Sequence, residues 1–203
     1  VYKRQEESLA MIEEAQKVGV TSIVCTPHCR DPWFDYEAMR AGFAALKAEV
    51  EKKPMAPRLT MGFEVNYKKL VELGMDWADY LGFETGEFLL ELPTSYLPPD
   101  WERIVFELRS KGYTVIIAHP ERYKPVQEDL DVVNRFIKAG CRIQVSADFW
   151  EESGFGAIKK TAKKLLDAGL VNYIASDAHG PLGYRTLGAV RKAYRPSGAH
   201  ARV

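Results

Sequence analysis

The stretch VIIAHPERY, residues 115–123, decides how this chain is read. Val115, Ile116, Ile117 and Ala118 form an unbroken apolar run, the kind that suits a strand buried on both faces within a helix-covered parallel sheet. His119, Pro120, Glu121 and Arg122 follow with no spacer. A buried strand that runs straight into an imidazole and a guanidinium is expected to emerge at a place where polar chemistry is concentrated.

Working outward, the same unit recurs in both directions. Upstream, EFLLEL reads as a strand with a helix starting near Pro99 or Asp100, and RLTMGFEV as a strand with a short helix from Tyr67. TSIVCTPH follows a first helix in which Leu9, Ile12, Ala15 and Gln16 recur at helical spacing before Gly19, and it precedes a helix from about Tyr36 to Lys52. Downstream come the helix DVVNRFIKAG, the strand RIQVSA, the helix AIKKTAKKLLDAG, the strand-like NYIASDAH, and a last helix over roughly Thr186 to Tyr194. Six β-α units with a helix first imply parallel strands joined by helical crossovers, either an open doubly wound sheet or a barrel. No Gly-x-Gly-x-x-Gly follows any strand, which argues against a dinucleotide site. No linker or composition shift interrupts the pattern, so residues 1–203 are expected to form one domain.

Composition narrows the partners. Lys plus Arg equals Asp plus Glu at 28 each, with no basic tract, so no nucleic-acid footprint is visible. No apolar run approaches the ~20 residues of a membrane span and no secretion signal opens the chain, which predicts a cytoplasmic protein. Three cysteines do not make a disulfide framework and are expected to be reduced.

The strand ends carry the chemistry. His28, Glu64, Glu91, His119, Ser146, Asp177 and His179 all fall at the C-terminal ends of strands, where the active sites of parallel barrels sit. Any one of them alone is more often a cap or surface residue. Together, three imidazoles and three carboxylates at the edge of a low-dielectric core repel and lose solvation unless a cation compensates them. Mixed nitrogen and oxygen donors suit Mn, Zn or Fe, and carboxylates able to bridge point to more than one ion. Arg122 in the adjoining loop pairs with Glu121 or Glu128 if it is a surface residue, and clamps an anion such as phosphate if it belongs to the site.

Other features yield to plainer readings. Cys25-x-x-His28-Cys29 lacks the second ligand pair of a structural zinc site, and neither Cys25 nor Cys141 opens a glycine-rich phosphate loop. Trp33, Phe34, Tyr96 and Trp101 are expected to pack loops down, with a pocket for an aromatic substrate as the alternative.

TPH, GFEV, LLELP, VIIAHPERY, QVSADF and ASDAH, in this order, resemble the bacterial manganese-dependent protein tyrosine phosphatases of the polymerase and histidinol phosphatase (PHP) superfamily, the capsule and exopolysaccharide regulators. The resemblance runs from Glu6 to about Tyr194. It implies a distorted TIM-like (β/α)7 barrel holding up to three ions, most often Mn, with Fe, Zn or Mg as alternatives. His28, Glu64, Glu91, His119, Asp177 and His179 would then be metal ligands, Arg122 the phosphate-contacting catalytic residue, and Ser146 a further substrate-binding group. The implied partner is a phosphotyrosine-containing bacterial tyrosine kinase. Two departures stand out: VYKRQ replaces the family's first strand with Asp-x-His-x-His, and RPSGAHARV replaces its closing helix. Both ends are therefore expected to be truncated, with the first barrel strand missing. A small-phosphomonoester phosphatase acting on histidinol phosphate and a non-catalytic kinase-binding module are the rival readings.

Overall fold

The computed structural model describes residues 2–151 and 156–194, with side chains from Glu6 onward; the readings placed on Val1 and on RPSGAHARV lie outside the described residues. α1 (Tyr2–Lys17) leads into β1 (Ser22–Cys25) and β2 (His28–Cys29), α2 (Tyr36–Val50) into β3 (Arg58–Met61) and β4 (Glu64–Asn66), and α3 (Tyr67–Leu73) with α4 (Ala78–Leu81) into β5 (Glu87–Glu91). Then follow α5 (Trp101–Ser110), β6 (Thr114–Ala118), α6 (Lys124–Glu128), α7 (Asp131–Lys138), β7 (Arg142–Ser146), α8 (Ala157–Asp167), β8 (Tyr173–Ala175) and α9 (Leu182–Ala193). The strands β2-β4-β5-β6-β7-β8 lie side by side in chain order, all parallel, and β1 pairs with β3.

TSIVCTPH and RLTMGFEV, each expected as one strand, are both broken in two. The register nevertheless runs unchanged through the break: Cys25 faces Met61 before it and His28 faces Glu64 after it. Pro27 brings no N–H to the ladder. At Gly62 the Phe83 ring lies 2.1 Å from where a Cβ would stand, so the backbone passes the ring only because no side chain is there. Hydrogen bonds from Gly62 N–H to Cys25 O and from Glu64 N–H to Pro27 O, at 3.0 and 3.2 Å, carry the pairing across.

Strand alternation explains the core. Phe88, Leu90, Val115, Ile117, Ile143 and Val145 point outward and are fully buried beneath the helices. α5 presents Trp101, Ile104, Val105 and Leu108, a stripe at helical spacing, and Trp101 stands edge-on to Phe136 of α7 at 4.9 Å. Each such burial stabilises by roughly 1.5–3 kcal/mol. Leu89, Ile116 and Ala118 point inward and form a smaller cluster with Phe83 and Tyr173. Below that cluster Tyr173 donates to Glu87 at 3.0 Å, with Arg142 3.6 Å from the same carboxylate. The lumen is thus plugged in its middle, which leaves its C-terminal end as the place for further polar groups.

The sheet is curled yet open, half of a barrel. Its edge strands are β2 and β8, and His28 of the first edge lies 3.1 Å from His179 just past the second. The last helix begins at Leu182 rather than near Thr186, because Pro181 starts it. No helix among the described residues is long and apolar enough to cross a membrane.

α1 is fastened to α9 through Glu14, which is 8% exposed and accepts from Arg185 Nε and Nη2 at 2.8 and 3.1 Å and from Lys17 at 2.7 Å. The Arg185 bonds, then Lys17, hold the Glu14 carboxyl down at about 2, from an ordinary 4.5. A depressed folded-state pKa adds stability above the ordinary value that is lost as pH falls from about 4.5 to about 2. Glu14→Gln is therefore expected to flatten that acid limb of a Tm-against-pH profile and leave its slope near neutrality unchanged.

Candidate metal centre

β4, β5 and β6 end side by side, and their register brings three donors together. Glu64 lies opposite Leu89 and Leu89 opposite Ile116, so Glu64, Glu91 and the end of β6 share the inner face. At His119 the backbone turns left-handed, with φ at 32°, which ends the strand. His119 Nε2 lies 2.8 Å from Glu64 Oε1 and 3.8 Å from Glu91 Oε1. Donor atoms of Glu64, Glu91 and His119 all fall within 4.8 Å of one another.

A second group continues from the first. His28 Nδ1 is 3.5 Å from Glu64 Oε2, and its ring stacks on His179 with Nε2 atoms 3.1 Å apart. His179 Nδ1 sits 2.9 Å from the Asp177 carbonyl oxygen, and Asp177 itself has φ at 46°. The first turn of α9 packs close under this segment, because a Cβ on Gly183 would come 2.8 Å from that of Ala178. Contacts thus run Glu91–His119–Glu64–His28–His179–Asp177 around the mouth. All six residues expected as ligands stand in one chain of neighbours.

The electrostatics suit a cation. Burial works against a charged His119, yet the Glu64 hydrogen bond and carboxylate outweigh it and hold the imidazole up at about 9. Burial likewise opposes the Glu64 charge, and the same His119 bond brings its carboxyl below the usual range. The imidazole and the Glu64 carboxylate thus favour each other's charged form. The buried Nδ1 atoms of His28 and His119 make no hydrogen bond, although His28 Nδ1 stands 3.5 Å from Glu64 Oε2. Two carboxylates and an imidazole this close, beside unpaired ring nitrogens, are a donor set that a first-row divalent ion fits.

Arg122 is ion-paired with Asp148, in the 3-10 turn Ala147–Trp150 that follows β7, and not with Glu121 or Glu128. Glu121 is instead fully buried: Oε1 accepts the Ser146 N–H at 2.9 Å, Oε2 has no partner, and burial raises its carboxyl to about 7. Ser146, expected to meet substrate, is completely buried, and its hydroxyl donates to Asp177 Oδ2 at 3.0 Å. Asn66 Nδ2 donates to Glu91 Oε2 at 3.0 Å, and Arg30 stands 3.9 Å from Glu91 Oε1. Sequence reasoning missed Asn66, Glu121 and Asp148 as neighbours of these residues; their adjacency to Glu64, His119 and Ser146 was the available signal.

The cysteines follow the plainer reading, and the aromatics follow it only in part, since Trp33 is 74% exposed. Burial pushes the Cys25 thiol up to about 11 and those of Cys29 and Cys141 to about 12, far from nucleophilic thiolates. Trp101 is core, Phe34 packs on Phe63 and Trp77, and Tyr96 lies under the Lys68 ammonium at 5.8 Å.

Comparison with known proteins places the chain in a family. The CpsB/CapC pattern for capsular polysaccharide synthesis matches residues 2–186. CapC of Staphylococcus aureus is 31% identical over 180 residues, covering 87% of this chain and 71% of that protein. The tyrosine-protein phosphatase CpsB of Streptococcus agalactiae serotype V is 30% identical over 186 residues, 87% of this chain and 76% of that protein. The tyrosine-protein phosphatase YwqE of Bacillus subtilis (strain 168) is 26% identical over 176 residues, 85% and 69% respectively. A crystal structure from the pair YwqE of Bacillus subtilis and CpsB of Streptococcus pneumoniae, unique metal-dependent tyrosine phosphatases, superposes with a TM-score of 0.80 at 24% identity, over 94% of this chain and 80% of that one. The fold is thus shared, and the match along most of the sequence assigns the family: this chain belongs to the CpsB/CapC capsular polysaccharide synthesis proteins.

Proposed function

We propose that this chain is a metal-dependent protein tyrosine phosphatase of capsule or exopolysaccharide regulation, acting on a phosphotyrosine-bearing bacterial tyrosine kinase in the cytoplasm. The observation that carries the reading is the clustering of Glu64, Glu91 and His119, with Arg122 in the same turn as His119. The names of the relatives support it. Free Cys25, Cys29 and Cys141 fit a reducing compartment.

Glu64, Glu91 and His119 would hold one divalent ion, and His28, Asp177 and His179 would serve further ones, up to three, with manganese proposed ahead of iron, zinc or magnesium. Bound there, such an ion supplies Lewis acidity and acidifies a water. Arg122 exchanges its Asp148 partner for phosphoryl oxygens, which a planar guanidinium grips in two places. Ser146 holds the Asp177 carboxylate in a fixed orientation from below. A tyrosine phenolate leaves readily, so the residues present need not include a strong general acid.

The test is turnover by the purified chain with added Mn2+, comparing a phosphotyrosine peptide with histidinol phosphate, with and without EDTA. Preference for the peptide and loss of turnover in chelator are expected. Faster hydrolysis of histidinol phosphate would replace the substrate reading, and chelator-insensitive peptide binding without turnover would replace the enzyme by a binding module.

A further inference from the structure

Two polar residues of the PERY segment, Glu121 and Tyr123, are buried away from solvent. Tyr123 is 1% exposed, and its hydroxyl accepts the Leu92 N–H at 2.9 Å while donating to the Ala118 carbonyl at 2.7 Å. Leu92 directly follows Glu91, and Ala118 directly precedes His119. The β5–β6 pairing ends at Leu90 and Ile117, so the Tyr123 hydroxyl connects the strand ends beyond the last paired residues. A Lys124 N–H bond to Thr94 O at 2.7 Å reinforces that connection.

Glu121 makes the matching connection on the other side. With Oε1 on the Ser146 N–H, and the Ser146 hydroxyl on Asp177, the turn after β6 is linked through the end of β7 to the turn after β8. A fully buried carboxyl with one oxygen unpartnered costs folding energy that an apolar side chain would avoid. A phenylalanine would likewise fill the Tyr123 site without a hydroxyl to satisfy. The left-handed backbone of His119 is another cost, and it persists only where its surroundings over-determine it.

We infer that Glu121 and Tyr123 are positioning residues: from within one turn they set the spacing of Glu91, His119 and Asp177, acting through Leu92, Ala118 and Ser146. This rests on the metal-centre reading above. Groups that support metal ligands in this way are typically worth 10–100-fold in metal affinity.

The test is Mn2+ titration, followed by the electron paramagnetic resonance signal of the free ion, on the wild-type chain and on Tyr123→Phe, Glu121→Ala and Glu121→Gln, each first shown to melt cooperatively. Tyr123→Phe and Glu121→Ala are expected to weaken Mn2+ binding by about 10–100-fold. Glu121→Gln should recover most of the affinity, because its amide oxygen still accepts the Ser146 N–H. Variants that melt earlier yet bind Mn2+ as the wild type does would reduce both residues to fold stability and overturn the inference. A wild-type chain that takes up no Mn2+ would instead overturn the metal centre, and the inference with it. If Tyr123→Phe does not fold, amide exchange in the wild type decides its half: Leu92 protected like the core strands supports the connection, and loop-like exchange removes it.

Discussion

Replacing His119 with alanine is expected to remove divalent-ion binding at the Glu64–Glu91 pair and to lower turnover of a phosphotyrosine peptide by on the order of 100-fold or more. His119 is the middle member of the cluster, 2.8 Å from one carboxylate and 3.8 Å from the other. Without it the two carboxylates confront one another at the top of the lumen with no nitrogen donor between them. The metal-free protein should suffer as well. Glu64 is 5% exposed, and stripping a buried charge of its partner costs about 3–5 kcal/mol, more than any surface substitution. Urea melts in EDTA measure that loss, and Mn2+ titration measures the affinity. A variant that still binds Mn2+ as the wild type does would mean the ion sits elsewhere.

Arg122→Ala should behave differently, and the contrast separates substrate handling from metal holding. Turnover is expected to fall by about 100–1,000-fold, the usual cost of removing one preorganised donor to developing charge. Mn2+ affinity should stay unchanged, since the guanidinium pairs with Asp148 and with none of the proposed ligands. Stability should change little, because the Asp148 side chain is 43% exposed and water can replace its partner. Arg122→Lys should not restore the rate, because an ammonium lacks the planar two-point grip. Loss of metal in the alanine variant would show that Arg122 supports the fold of the HPER turn instead.

Much of this site is legible in the sequence. The strands TVIIA and RIQVS appear where apolar runs place them, because burial on both faces of a parallel sheet demands such runs. Glu91, His119, Ser146, Asp177 and His179 stand at or just past the ends of their strands as expected, whereas His28 and Glu64 open the short strands β2 and β4 that follow the breaks. The breaks at Pro27 and Gly62 were less legible: a proline inside a strand signals interruption, but the unchanged register across it depends on a neighbouring strand. The Phe83 ring that occupies the space beside Gly62 comes from a different unit of the chain altogether. Arg122 shows the same limit, since Glu121 and Glu128 were the near choices along the chain and Asp148, on the next turn in space, is the actual partner.

Local sequence determined the order of helices and strands, the parallel topology and the residue types at the strand ends, because side-chain periodicity and chain breakers act over a few residues. Only the tertiary structure decided which of those residues meet. Glu64 and His119 are 55 positions apart, and His28 and His179 are 151 apart. Their contacts depend on the register between neighbouring strands and on the curl that brings the two sheet edges together, and both are properties of the whole sheet. The same curl buries Glu121, Tyr123 and Ser146 beneath the mouth, where their short polar atoms reach backbone that lies far away along the chain.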